Sequence, residues 1–70
     1  MAGIIVVPKP DAIRMLRVQK YLTQQELADA AGTTPFQIHR LEKGKQNASI
    51  GMLRKIATAL DVPVEDLIEQ

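Results

Sequence analysis

Apolar side chains recur along this chain at the three- to four-residue spacing of helices that bury one face. Ile13 and Leu16 form the first such stripe and predict a helix from Asp11 or Ala12 to about Lys20. Leu27, Ala28, Ala30 and Ala31 give a second helix a small-residue inner face, and Gly32 ends it, since a left-handed backbone is easiest for glycine. A third helix, 35–43, turns Ile38 and Leu41 inward. Ile50, Leu53, Ile56, Ala57 and Leu60 predict a fourth over about 50–60. Asp61-Val62-Pro63 breaks the chain. A short fifth helix then runs from Val64 to about Glu69, with Leu67 inward and Val64 and Ile68 serving either the core or a dimer contact.

Start signals sharpen these boundaries. Thr23 with Glu26 is a capping box, and Leu22 and Leu27 stand where a hydrophobic staple would. Thr34 with Gln37 reads as a second box, with Pro35 as first helical residue. Ser49 suits the cap of the fourth helix, and Gly51 weakens its first turn slightly. Lys45-Gln46-Asn47-Ala48 reads as a loop. Residues 1–10 form an N-terminal arm ahead of a domain spanning 11–70: Ile4 to Val7 favour extended structure, while Pro8 and Pro10 stop a helix from running through. The arm is either a floppy tail or a segment that packs on the domain, pairs with a partner's arm or touches DNA. Leaving a row of Ile and Val in water is costly, which favours some contact.

Seventy residues make one small domain with a marginal core, and one Phe, one Tyr and no Trp make that core aliphatic. The apolar share of 46% is too high for disorder, and no cysteine means no disulfide scaffold. No metal and no cofactor are expected, there being too few ligand-type residues for a structural zinc site and no glycine-rich phosphate loop. A single His and no nucleophile with a base at motif spacing argue against an enzyme. The longest apolar run, Ile4 to Val7, is far short of a membrane span, and no signal-peptide pattern is present, so a cytoplasmic location is expected. The net charge of +1 hides an asymmetry: residues 1–60 carry nine bases against four acids, a net +5, whereas residues 61–70 carry Asp61, Glu65, Asp66 and Glu69 and no base. One end of the molecule suits phosphates and the other repels them.

The third helix carries the chemistry. With Ile38 and Leu41 inward, Phe36, Arg40 and Lys43 point outward with His39 beside them. Folding gives a helix no reason to expose that set; a DNA major groove does.

The stretch Thr23 to Gly44, TQQELADAAGTTPFQIHRLEKG, resembles the helix-turn-helix of the phage repressor and Cro family, the xenobiotic-response-element (XRE) type of regulator. The resemblance rests on Leu22-Thr23-Gln24, Glu26-Leu27-Ala28, Gly32, Ile38 and Leu41-Glu42-Lys43-Gly44-Lys45. It continues through Ala57, Leu60 and Val62 to Leu67, covering roughly residues 12–68. It implies an all-α, five-helix lambda-repressor-like DNA-binding domain with its helix-turn-helix at 24–43. The implied function is sequence-specific transcriptional regulation, as a repressor that binds a pseudo-palindromic operator in double-stranded DNA as a homodimer. Each helix 35–43 would lie in one major groove, in the nucleoid of a bacterial or phage-infected cell. The alternative is a protein-interaction module, or the antitoxin of a toxin–antitoxin pair, on the same fold.

The base-reading candidates are Thr34, Pro35, Phe36, Gln37, His39 and Arg40: Arg40 for a bidentate contact to guanine, Phe36 for a thymine methyl, Thr34 and Gln37 for hydrogen bonds. Relatives often place a long polar side chain where this chain has Pro35, which leaves only apolar contact there. Phe36 could instead pack on another protein or on the arm, and His39 could be plain surface. Phosphate candidates are Gln24, which the resemblance places against the DNA backbone, and Lys43, Lys45, Gln46 and Asn47 on the other flank. The resemblance also pairs Arg17 with Glu42, explaining a basic residue at the edge of an apolar stripe. Two further departures are Tyr21, where the family often has Gly and where a positive φ would be unwelcome, and Ala48, where many relatives have Pro.

Overall fold

The computed structural model describes residues 5–69, and the part of the arm before Ile5 lies outside them. In chain order the elements are β1 (Ile5–Val6), α1 (Pro10–Gln19), α2 (Gln24–Ala31), α3 (Pro35–Glu42), β2 (Ala48–Ser49), α4 (Ile50–Leu60) and a 3₁₀ helix, Val64–Leu67. Ile13, Leu27, Ile38, Leu41, Leu53, Ile56, Leu60 and Leu67 are fully buried, so every helix contributes to one aliphatic core. Ala28, Ala31 and Ala57 are buried among them. Small side chains there let α2 and α4 lie close together.

Side-chain caps start three of the helices. Thr23 accepts from the Glu26 amide at 3.0 Å while Glu26 accepts from the Thr23 amide at 2.8 Å, a complete capping box. Ser49 accepts from the Met52 amide at 3.1 Å. Thr34 accepts from the Gln37 amide at 3.2 Å, but the expected box is only half made: the Gln37 carboxamide oxygen accepts from Gln46 and makes no bond to the Thr34 amide. The four helices share one kind of ending. In each, a residue with positive φ folds the chain back so that the amide after it reaches a carbonyl in the last turn: Leu22 to Arg17, Thr33 to Ala28, Lys45 to Arg40 and Val62 to Ala57, at 2.9 to 3.0 Å. The left-handed residues are Tyr21, Gly32, Gly44 and Asp61. Glycine takes that conformation freely and Asp tolerates it, whereas Tyr21 at φ 58° carries the steric cost of its Cβ.

The arm from Ile5 to Lys9 closes on the 48–49 and 67–69 segments. Ile5 pairs with Ser49 and Val6 with Ala48 in a two-stranded antiparallel ladder. The Lys9 amide donates to the Leu67 carbonyl at 2.7 Å and the Glu69 amide to the Val7 carbonyl at 2.9 Å, flanking a Pro8–Ile68 bridge. Pro8 sits at the position of that pairing where no amide hydrogen is required, so its missing donor costs nothing. From Ile5 onward the arm is therefore tied to the domain by its backbone.

The structure corrects several expectations. Among the described residues there are four α-helices rather than five: 64–67 is a single 3₁₀ turn, because Ile68 turns extended to meet Pro8 before an α-turn can close. Ala48 belongs to a strand pair rather than to a loop, since its backbone is held by Val6. Ala30 is exposed and Ile50 only half-buried, each on the rim of its helix's buried face. Val64 and Ile68 pack against the core.

Tyr21 is 94% exposed, so its side chain contributes little to set against its backbone strain. Tyr21→Gly is expected to stabilise the fold by about 1 kcal/mol. Thermal unfolding followed by circular dichroism would show this as a rise of roughly 4–8 °C for a domain of this size. A fall would mean that the ring makes contacts worth more than the strain.

Candidate nucleic-acid interface

The capping and helix-ending motifs around Thr23–Gly44 hold α2 and α3 in a helix–turn–helix pair. Ile38 and Leu41 are wholly buried, and the same periodicity leaves Phe36 67% exposed on the opposite side of α3. His39 and Lys43 are exposed, and Arg40 is half-exposed. Thr34 is exposed at the start of the helix and Pro35 partly covered. Lys45 and Asn47 are exposed in the loop that follows. The six base-reading candidates are thus brought to one helix and its cap, with Lys43, Lys45 and Asn47 at its far end.

Two polar clusters hold this face. On the core side, Arg17 Nε donates to Glu42 Oε2 at 2.6 Å and Nη2 to Glu42 Oε1 at 3.0 Å, a two-pronged ion pair between α1 and α3. Arg17 Nη1 donates to the Leu22 carbonyl at 2.8 Å. Gln24 Nε2 adds a third donor to Glu42 Oε1 at 3.1 Å. The two charged side chains are only 14% and 3% exposed. A carboxylate buried that far requires these partners, so the end of α3 is set against α1 and α2 together.

On the outer side, Arg40 Nε donates to Gln46 Oε1 at 2.9 Å, and Gln46 Nε2 donates to Gln37 Oε1 at 3.0 Å. Arg40 Nη2 donates to the Lys45 carbonyl at 3.1 Å, and the guanidinium lies over the Phe36 ring, 5.7 Å from its centroid.

Two residues have settings that the sequence did not suggest. Gln46, grouped with the phosphate candidates, reaches back over α3 and stands between two base-reading candidates. Gln24 is tied to Glu42 as well as standing at the start of α2. Neither contact leaves a signal in the spacing, since the partners lie nine and eighteen residues away. Among the described residues no helix is long and apolar enough to cross a membrane, and no group of three or more metal-ligating side chains gathers.

Residues 13–67 match the helix-turn-helix family model, and the chain belongs to this XRE-type family. It is a transcriptional regulator built on the helix-turn-helix DNA-binding fold; the family and its relatives are regulators rather than enzymes. It is 42% identical over 55 residues to an uncharacterised HTH-type transcriptional regulator of Archaeoglobus fulgidus, covering 79% of each chain. Among solved structures it resembles the restriction-modification controller protein C.AhdI of Aeromonas hydrophila, with a TM-score of 0.79 and 33% identity, over 81% of this chain and 83% of that one. It also resembles the biofilm master regulator SinR of Bacillus subtilis in complex with DNA, with a TM-score of 0.77 and 33% identity, over 80% and 90% of the two chains.

The Glu42 cluster makes a stability prediction. Glu42→Ala strands the Arg17 guanidinium and should destabilise the fold by roughly 3 kcal/mol, whereas adding Arg17→Met should recover part of the loss. Denaturant unfolding of the two single variants and the double variant gives the coupling directly. Additive losses would mean that the pair contributes no interaction energy.

Proposed function

We propose that the chain represses transcription by binding a pseudo-palindromic operator in double-stranded DNA as a homodimer, with α3 of each subunit in a major groove. The observation that carries this reading is the outward face of α3, where Phe36 is exposed and Arg40 is held over it, directly opposite the buried Ile38 and Leu41. Thr34, Pro35, Phe36, Gln37, His39 and Arg40 would meet base edges. Lys43, Lys45 and Asn47 would meet phosphates on one flank. Gln24 and the amides at the start of α2 would meet them on the other. SinR's complex with DNA gives the same fold a precedent for that partner. Repression would follow from occlusion, two bound domains covering a promoter, and the site of action would be the cytoplasm, at the nucleoid. The second reading, a protein-interaction module, draws on the exposed Met15, Val18 and Tyr21 along α1 and its end.

Random-site selection tests the first reading against the second. The wild type should enrich a pseudo-palindrome with half-site centres about 34–36 Å apart, as two-fold protein symmetry requires. Arg40→Ala should lose about 1–3 kcal/mol of discrimination at one base pair per half-site, with nonspecific affinity falling much less. Absence of any enriched motif would turn the reading toward a protein partner.

Lys45→Ala should weaken binding to all sequences about equally and lower the slope of log affinity against log salt by about 1. Filter binding or fluorescence anisotropy across a salt series measures that slope, and an unchanged slope would take Lys45 out of the interface.

A further inference from the structure

Gln37, Gln46 and Arg40 form one chain of hydrogen bonds, and donor chemistry alone dictates which way each amide faces. A guanidinium has only donors. The Gln46 atom 2.9 Å from Arg40 Nε is therefore the oxygen, Oε1. Gln46 Nε2 then faces the other way and donates to Gln37 at 3.0 Å, so Gln37 must offer its own Oε1. What Gln37 has left to present is both hydrogens of its amide Nε2 and the second lone pair of Oε1.

We propose that Gln46 is a specificity-determining positioning residue: by drawing the carboxamide oxygen of Gln37 toward itself, it biases Gln37 to act as a donor toward the base it faces. The inference rests on α3 being the base-reading helix. A free glutamine pairs bidentately with adenine, accepting from N6 and donating to N7. With one lone pair of Oε1 already held by Gln46 that pairing is weakened, because N6 must share the oxygen, whereas the Nε2 hydrogens are both free to match the acceptors O6 and N7 of guanine or O4 of thymine. Arg40 is set in the same sense. Its Nε is held by Gln46 and one Nη2 hydrogen by the Lys45 carbonyl, which leaves Nη1 and the second Nη2 hydrogen for the paired acceptors of guanine. Gln37 and Arg40 are three residues apart on α3 and so are surface neighbours. Together they present donors to adjacent acceptor-bearing bases in each half-site. The loop carrying Gln46 is itself anchored, because Ala48 and Ser49 just beyond it pair with Val6 and Ile5.

Gln46→Glu inverts the polarity while keeping the Arg40 contact. A carboxylate still accepts from Arg40 Nε, but it can only accept from Gln37, so the Gln37 amide turns round and shows its oxygen. Random-site selection with wild type, Gln37→Ala, Gln46→Glu and Gln46→Ala reads the effect. The base pair where Gln37→Ala loses preference is the one that Gln37 faces. There the wild type should select guanine or thymine. Gln46→Glu should move the ratio about tenfold toward adenine or cytosine, the bases that offer an amino donor, with the preference opposite Arg40 unchanged. Gln46→Ala frees both lone pairs of Gln37 Oε1, so the share of adenine selected at that position should rise. A merely structural Gln46 would change affinity or melting temperature without changing which base is chosen. Wild-type selection of adenine opposite Gln37, or the wild-type preference persisting in both Gln46 variants, overturns the proposal alone. Failure of the wild type to enrich any motif overturns the DNA reading beneath it as well.

Discussion

A buried carboxylate sets the geometry on which the outer face of α3 depends. Glu42 closes α3 with its side chain almost out of water, and a charge there is tolerable only if donors reach it from fixed directions. Two come from Arg17 on α1 and one from Gln24 at the start of α2, so satisfying one side chain fixes three helices relative to one another. The aliphatic core supplies most of the cohesion but would tolerate small rotations of α3 about its axis. The Glu42 cluster has strict distances and angles, and through them it decides which way the outer face points.

That face has a second layer of order. Arg40 and Gln37, which would otherwise be free rotors, are linked through Gln46, and Arg40 rests on Phe36. Long polar side chains lose conformational freedom when they bind a partner. Here part of that ordering is already present in the free protein. The loop that supplies Gln46 is steadied in turn by the strand pairing of the arm, so a segment remote in sequence supports the outer face of α3.

The closure of the arm on the 67–69 segment also suits a domain of this size. A small core is marginal, and the backbone bonds that join Val7 and Lys9 to the 67–69 segment extend ordered structure beyond the helices at no cost in core volume. They also explain why the last turn is 3₁₀: the chain leaves helical geometry at Ile68 in order to pair.

Local chemistry, written in the sequence, determined most of the fold. The starts of α2 and α4, the glycine that ends α2, and the inward residues of each helix are set by contacts within three or four positions, which spacing alone reveals. The outward set on α3 was legible for the same reason, since burying Ile38 and Leu41 leaves Phe36 and Arg40 facing away. Arg17 was conspicuous as a base at the edge of an apolar stripe, though its partner came from family likeness and not from spacing. Only the tertiary structure decided the rest. The strand pairing of Ile5–Val6, the extended turn at Ile68 and the left-handed Tyr21 arise where distant segments or chain reversal override local preference. The Gln24–Glu42 and Gln37–Gln46–Arg40 bonds belong to the same class. They join groups that no periodicity relates, and they exist because packing the helices brings those side chains within hydrogen-bond reach.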